Sequence, residues 1–345
     1  MSDRNKLKAL NKLYKNGVEV LSYSRMNTFN GDCPYQYYLQ YIKKVKRGDS
    51  GVYAHLGGES HDILENYYSN IINKSDMVNI FKDKFEMSQN NGVTFPAGLK
   101  SANNYKQDMI HFFENHKDLN YKFIALELPI IVNIDGIHIQ GYIDCIYQDK
   151  DTNEYYIIDW KTSRKFSSKD KEKSKMQLLL YKIGIEQLYP NISIKMLAWD
   201  MLKYCKLSYD TILKSGKISR KSTIIERKDL ESKKIEILGK YHNNGSHDMN
   251  VIDYSIDGDW NNFESYDSAN FDIEDFIDEY EATDESVQEA INYVLKTKAK
   301  MIELGDEEDN YDPKEDWLQP NNFFCHNFCG CKDSCKFYQR ANNIK

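Results

Sequence analysis

An α/β fold, with helices before and after a mixed central sheet, is what this 345-residue chain predicts. Three observations predict it. Apolar residues recur at helical spacing in the segments around residues 58–72 and 105–116. The period then drops to two across YKFIALELPIIVNI, IHIQGYIDCIY and EYYIIDWKT. Helical spacing returns in KMQLLLYKIGIEQLY, ahead of a last strand, ISIKMLAWDMLKY.

Each element has a local reason. Residues 4–16 set Leu7, Leu10, Leu13 and Tyr14 on one helical side. Ser24 is read as the cap of the next helix, and Pro34 as a first-turn residue of a third that carries YQYYLQYI. In ESHDILENYYSNII, His61 and Glu65 lie one turn apart on a shared face. Asp135-Gly136 suits the positive backbone angles of a tight hairpin, so the three strands form an antiparallel meander. Pro190 closes the helix that follows. The organisation expected is an N-terminal helical extension (1–21), a core (22–205), an acidic helical and loop-rich region (206–316), and a cysteine-bearing segment (317–345). Within the acidic region, Thr283 to Leu304 reads as a good helix.

Composition narrows the function classes. With 46 Lys and Arg against 53 Asp and Glu, the net charge of -7 argues against a protein that coats nucleic acid. The sum hides asymmetry, because basic residues gather at Lys43–Arg47 and between Arg164 and Lys175, whereas no Lys or Arg occurs between Lys240 and Lys296. Taken alone, such runs are solvated faces. The first residues lack an apolar leader core and no long apolar run follows, so a cytoplasmic protein without a membrane span is expected. Seven cysteines, an odd number, do not suit a disulfide framework in a reducing compartment; metal or cluster ligation suits them better.

The meander carries charges where apolar residues belong. Asp159 and Lys161 are two apart on a strand and share a face, and Asp144 on the neighbouring strand can meet Asp159 across the ladder. Gly141, three residues before Asp144, leaves room for a close approach. Two carboxylates about 5 Å apart repel by roughly 3 kcal/mol at an effective dielectric near 20. A divalent cation such as Mg²⁺ or Mn²⁺ reverses that sign and takes one or two carboxylates with water and phosphate oxygens. A lysine beside it can orient the attacking water and stabilise charge developing on phosphate. An exposed Asp-Lys ion pair is the bland alternative for D-x-K by itself.

G-x-x-D on one strand, D-x-K on the next and Q-L-x-x-Y on the following helix occur in that order. In this the sequence resembles the PD-(D/E)XK nuclease superfamily, in its RecB/AddB-like branch, over about residues 22–205 and the last thirty residues. The resemblance implies a restriction-endonuclease-like core. It implies that Asp144, Asp159 and Lys161 are catalytic, that His61 in G-G-E-S-H joins Asp144, Asp159 and the Trp160 carbonyl as metal ligands, and that Gln177 and Tyr181 face DNA. Glu127 falls at a strand position where such nucleases often carry an acid. It further implies that Cys33, Cys325, Cys329 and Cys335 bind a [4Fe-4S] cluster that joins the two ends of the domain. The tail departs from the usual C-x₂-C-x₅-C: Cys329 to Cys335 keeps the longer gap, three residues separate Cys325 from Cys329, and Cys331 is extra. A structural Zn²⁺ site would use the same four thiolates. Cys145 and Cys205 read as small buried hydrophobes.

The function implied is a metal-dependent DNA nuclease, an exonuclease of recombination, repair or replication, with single- or double-stranded DNA as partner. Two rivals stay open: a catalytically weak DNA-binding subunit on the same fold, and a hydrolase of another phosphate ester. No Walker phosphate loop is present in the sequence, so a helicase or recombination motor would be a separate polypeptide.

Overall fold

The computed structural model describes residues 12–31, 33–46, 48, 51–93, 95, 98–118, 121–213, 215, 217–244, 269–313 and 322–343. A seven-stranded mixed sheet forms its centre. In chain order the elements are β1 (Val20–Ser22), α1 (Tyr23–Phe29), α2 (Pro34–Tyr37), α3 (Val52–Tyr68), α4 (Lys74–Asn90), α5 (Gly98–Asn115), β2 (Tyr121–Ile134), β3 (Ile137–Asp149) and β4 (Tyr155–Lys161). These are followed by α6 (Ser168–Leu188), β5 (Ile194–Ile212), β6 (Ile218–Glu226), α7 (Leu230–Asn244), β7 (Asp272–Glu281), α8 (Asp284–Leu304), α9 (Phe323–Asn327) and α10 (Lys336–Ala341).

The meander is present as expected. β2 and β3 pair antiparallel through the Asp135-Gly136 turn, where both residues have positive φ (47° and 82°), the requirement of a tight hairpin of this hand. β4 pairs antiparallel with β3, and α6 then crosses over so that β5 runs parallel to β4. β6 and β7 add antiparallel to β5, and β1 adds parallel to β3.

The sheet separates two apolar layers. On one face Ile130, Val132, Ile143 and Trp199 pack with Leu179 and Leu180 of α6 and Val294 of α8. On the other, Cys145, Ile158, Trp160 and Leu202 pack with Leu56 and Leu64 of α3, Phe81 of α4 and Phe112 of α5. No described helix is long and apolar enough to cross a membrane.

Several local expectations shift. The cap of α1 is Ser22, whose Oγ accepts from the Arg25 N–H at 3.1 Å, and not Ser24, which lies inside the helix. Pro34 does open α2, but after one turn the chain widens into a π-helix, Tyr38–Ile42. The region read as helical and loop-rich also contains strand: β5 continues to Ile212 and β6 runs from Ile218 to Glu226. The acidic stretch Asp272–Glu281 is strand β7. Its acids answer bases elsewhere, since Glu274 pairs with Lys206, Asp278 with Lys171 and Glu281 with Lys195. The helix at Asp284–Leu304 forms as expected and is capped by a reciprocal Thr283–Ser286 box. Of the helix expected over residues 4–16, only 12–16 lie among the described residues, and of these 12–15 are helical.

α6 lies close on the sheet because Gly184 has no side chain. A Cβ there would meet Ile130 Cδ1 and Val132 Cγ2 at 2.9 Å. Gly184→Ala is expected to cost about 1–3 kcal/mol through overpacking, seen as a lower urea midpoint with an unchanged denaturant slope.

Candidate active site

One edge of β3 is shared between two strands. β2 runs along the other edge for the full length of β3, so β4 (at Cys145–Gln148) and β1 (at His138–Gln140) lie on the same side. Residues 141–144 fall in the interval between them. The β3–β4 ladder ends at Cys145 and Ile158, and the polar backbone of Trp160 is left without a strand partner on that side. Side chains take it over. Asp144 Oδ2 accepts the Trp160 N–H at 2.8 Å, and His61 Nε2, brought by α3, lies 2.8 Å from the Trp160 carbonyl oxygen.

The same interval contains a change of face. Residues two apart on a regular strand share a face. Yet Leu126 and Cys145 pack toward α3–α5, while their neighbours Leu128 and Ile143 pack toward α6. Between Leu126 and Leu128 stands Glu127, at φ 42°, a left-handed conformation uncommon for a non-glycine residue and a form of strain found at functional sites. The flip turns the Glu127 carboxylate toward the site. Ligand atoms of His61, Glu127 and Asp144 lie within 4.8 Å of one another, and His61 Nδ1 is 3.5 Å from Asp144 Oδ2. Lys161 forms an ion pair with Asp159 beside them.

The electrostatics follow from burial. Asp144 is 7% exposed and Asp159 2%. Burial, and then the neighbouring Asp159, hold the Asp144 carboxyl well above the usual carboxylate range. Glu127 is also raised, by burial and by Glu65, Asp62 and Asp159. Burial lowers His61, favouring the neutral imidazole. Burial also opposes a charged Lys161, but Asp159 and Asp144 outweigh it and its affinity for a proton is raised. The centre is thus rich in oxygen donors that repel one another, with one imidazole. That donor set suits a hard divalent cation.

Gln177 and Tyr181, one turn apart on α6, line the same cleft of about 250 Å³ as His61, Asp144, Asp159 and Lys161. Gln177 Nε2 donates to the Tyr181 hydroxyl at 2.6 Å. The room beside Gly141 is filled by this tyrosine: a Cβ on Gly141 would stand 2.6 Å from Tyr181 Cε1. Of the residues expected from the sequence, His61, Asp144, Asp159, Lys161, Gln177 and Tyr181 therefore stand around one cleft, and the Trp160 carbonyl adjoins it through His61. Glu127 belongs with them; without its face change visible in the sequence, only its position on the strand pointed to it.

A buried support lay outside the sequence reading. The Tyr68 ring stacks on the Trp160 indole at 6.1 Å and 13°. Its hydroxyl is 2.6 Å from His116 Nε2, His116 Nδ1 is 3.2 Å from Asp275 Oδ2, and Arg227 donates to Asp275 Oδ1 at 2.6 Å. Asp275, though buried, is lowered by His116 and Arg227, and accepts from both. Because the ionised Asp275 only accepts, His116 donates to it through Nδ1, and the Tyr68 hydroxyl bonds the other ring nitrogen.

The cysteines converge as well. Cys33 precedes α2, Cys325 lies in α9, and Cys335 caps α10, its Sγ accepting from the Tyr338 N–H. Burial pushes the Cys33 thiol up to about 12, with Cys329, Cys325 and Cys335 adding to the rise after an opposing backbone hydrogen bond from Gln36; Cys325 is pushed up to about 11 by burial, Cys329 and Cys335. Cys331 is instead a core residue, 2% exposed. Cys145 and Cys205 are buried apolar positions. Around the thiols, the chain ends meet through Tyr35 packed edge-on to Phe337 and the Gly48 N–H bonded to the Gly330 carbonyl at 2.8 Å.

A family model described as the PD-(D/E)XK nuclease superfamily matches residues 20–336. No curated protein matches the chain.

Gly141→Ala is expected to destabilise by about 1–3 kcal/mol because Tyr181 cannot retreat. Tyr181→Ala in the same chain should relieve the clash, giving a coupling energy above about 1 kcal/mol in a denaturation double-mutant cycle. Strict additivity would show that the two groups do not contact.

Proposed function

The chain belongs to the PD-(D/E)XK nuclease superfamily, and from that membership and the cleft described above we propose that it is a metal-dependent DNA nuclease, an exonuclease serving recombination, repair or replication. The observation that carries this reading is the meeting of His61, Glu127 and Asp144 at the freed Trp160 peptide, with the Lys161–Asp159 pair alongside. A binding subunit has no use for mutually repelling buried acids. A nuclease does, because they create the affinity for a cation.

His61, Asp144 and Asp159, with Glu127 and the Trp160 carbonyl, would hold Mg²⁺ or Mn²⁺. When bound, the ion supplies Lewis acidity toward the phosphate and lowers the pKa of the attacking water. The remaining roles belong to the protein. Lys161, steadied by Asp159, orients the water and stabilises charge growing on the phosphate oxygens. Gln177 and Tyr181 position the strand at the mouth. Cys33, Cys325, Cys329 and Cys335 would hold a [4Fe-4S] cluster that closes nearly the whole chain into one loop, the arrangement in which restraint of the unfolded chain stabilises most.

The active-site roles are separable in one experiment on end-labelled DNA with and without Mg²⁺ or Mn²⁺. Asp159→Ala should abolish cleavage with the fold retained. Lys161→Ala should slow turnover by about 10²- to 10³-fold at saturating metal while Mn²⁺ affinity, read by titration calorimetry, changes little. Wild-type cleavage by Asp159→Ala would reject the assignment, and a Lys161→Ala that weakens metal binding alone would make the lysine structural.

The cysteine assignment is tested by colour and stability together. Freshly isolated protein should be brown, with broad absorbance near about 400 nm of the kind given by cysteine-ligated iron-sulfur clusters. Cys33→Ala should lose the colour and much of the thermal stability, whereas Cys331→Ala should keep its colour. A colourless protein holding one zinc would replace the cluster with a zinc staple.

A further inference from the structure

The catalytic cleft does not end at Lys161. A second cleft, of about 630 Å³, opens from it, and the two share Tyr23, Lys161 and Gln177. One wall of the second cleft is α1, through Tyr23, Asn27 and Thr28. The other is the segment that leaves β4 and begins α6, through Arg164, Lys165 and Lys173, and Cys33 lies on its border. The cations there differ from their neighbours. On α6, Lys171, Lys175 and Lys182 each hold a carboxylate. Arg164, Lys165 and Lys173 are exposed, and none makes an ion pair among the described residues. Asp170 is the one carboxylate on the lining, and it is engaged by Ser167 at the helix cap. In a chain of net charge -7, three cations without an ion-pair partner among the described residues make a local anion path along one cleft.

The width of the path selects its occupant. The Tyr23 hydroxyl donates to the Lys173 carbonyl at 2.7 Å, so the walls touch at a residue that lines both clefts. Walls joined by a hydrogen bond leave room for one strand and not for a duplex. We propose that a single DNA strand lies in this second cleft, with its phosphates on Arg164, Lys165 and Lys173, and runs from the catalytic centre toward Cys33. The proposal rests on the nuclease reading for the identity of the polyanion; the binding path rests on the cleft itself.

Salt dependence tests it, because each phosphate contact on a single strand contributes about -0.7 to the slope of log K against log salt. A fluorescein-labelled single-stranded oligonucleotide is titrated with the full chain in chelator, so that no cleavage occurs, at NaCl from 50 to 200 mM. Wild type is compared with the triple variant Arg164→Gln, Lys165→Gln, Lys173→Gln. The variant's slope should be shallower by about 2, so that it loses roughly twenty-fold less affinity than wild type over that range. Its thermal midpoint should be unchanged, since the three side chains make no ion pair among the described residues. An unchanged slope overturns the path. A blunt duplex of the same length should show no such difference between the two proteins; a duplex slope that also falls by about 2 overturns the single-strand assignment. The nuclease reading fails by a different route, if wild-type protein cleaves no DNA with either metal while the slope difference persists.

Discussion

Everything at the candidate site depends on the early end of the β3–β4 ladder. A backbone N–H and carbonyl buried without partners would cost several kcal/mol together, and at Trp160 the ladder that should satisfy them stops two residues short. Asp144 and His61 meet that demand, which fixes both side chains with respect to the peptide between Asp159 and Lys161. The strand therefore does three things over three consecutive residues. Asp159 and Lys161 project into the cleft, and the backbone of the residue between them orients the other two functional groups. The indole of Trp160 goes the opposite way, into the apolar layer of α3–α5.

That arrangement explains why the site is legible in part. D-x-K, G-x-x-D and the α6 signature are short-range patterns, and strand alternation together with helical spacing carries them correctly into one cleft. His61 depends on α3 arriving at the right depth, which periodicity does not state; family resemblance supplied it. Glu127 depends on one left-handed residue in a strand, and nothing in ALELPII announces a change of face. Gly141 was legible as a close approach, but the approaching group, Tyr181, comes from an element forty residues later.

The fold beyond β4 was less legible for a different reason. β7, with six acids among Asp272–Glu281, reads as a solvated run when its own composition is all that is considered. Its partners lie far away in sequence, at Lys171, Lys195, Lys206 and Arg227. Charge balance is reached between elements, and no window along the chain contains both halves. The same holds for β6, whose polar pattern pairs with the protruding half of β5.

The acidic strand and the Trp160 peptide are in turn connected. β5 bulges against β7 between Asp200 and Cys205, and Arg227 reaches into the irregularity, donating to the Leu202 carbonyl at 2.8 Å. From Arg227 the bonds run through Asp275 and His116 to Tyr68, and the Tyr68 ring lies against Trp160. Removing one member of a buried charged set typically costs 3–5 kcal/mol, because the remaining charge is left unpaired. An apolar layer of equal volume would have been cheaper to bury. What the polar chain adds is direction: Asp275 only accepts, so each donor behind it has a single satisfied orientation, and Tyr68 is held in register against the indole. β7, which lies in the region read as helical and loop-rich, is thus two side chains from the residue on which His61 and Asp144 converge.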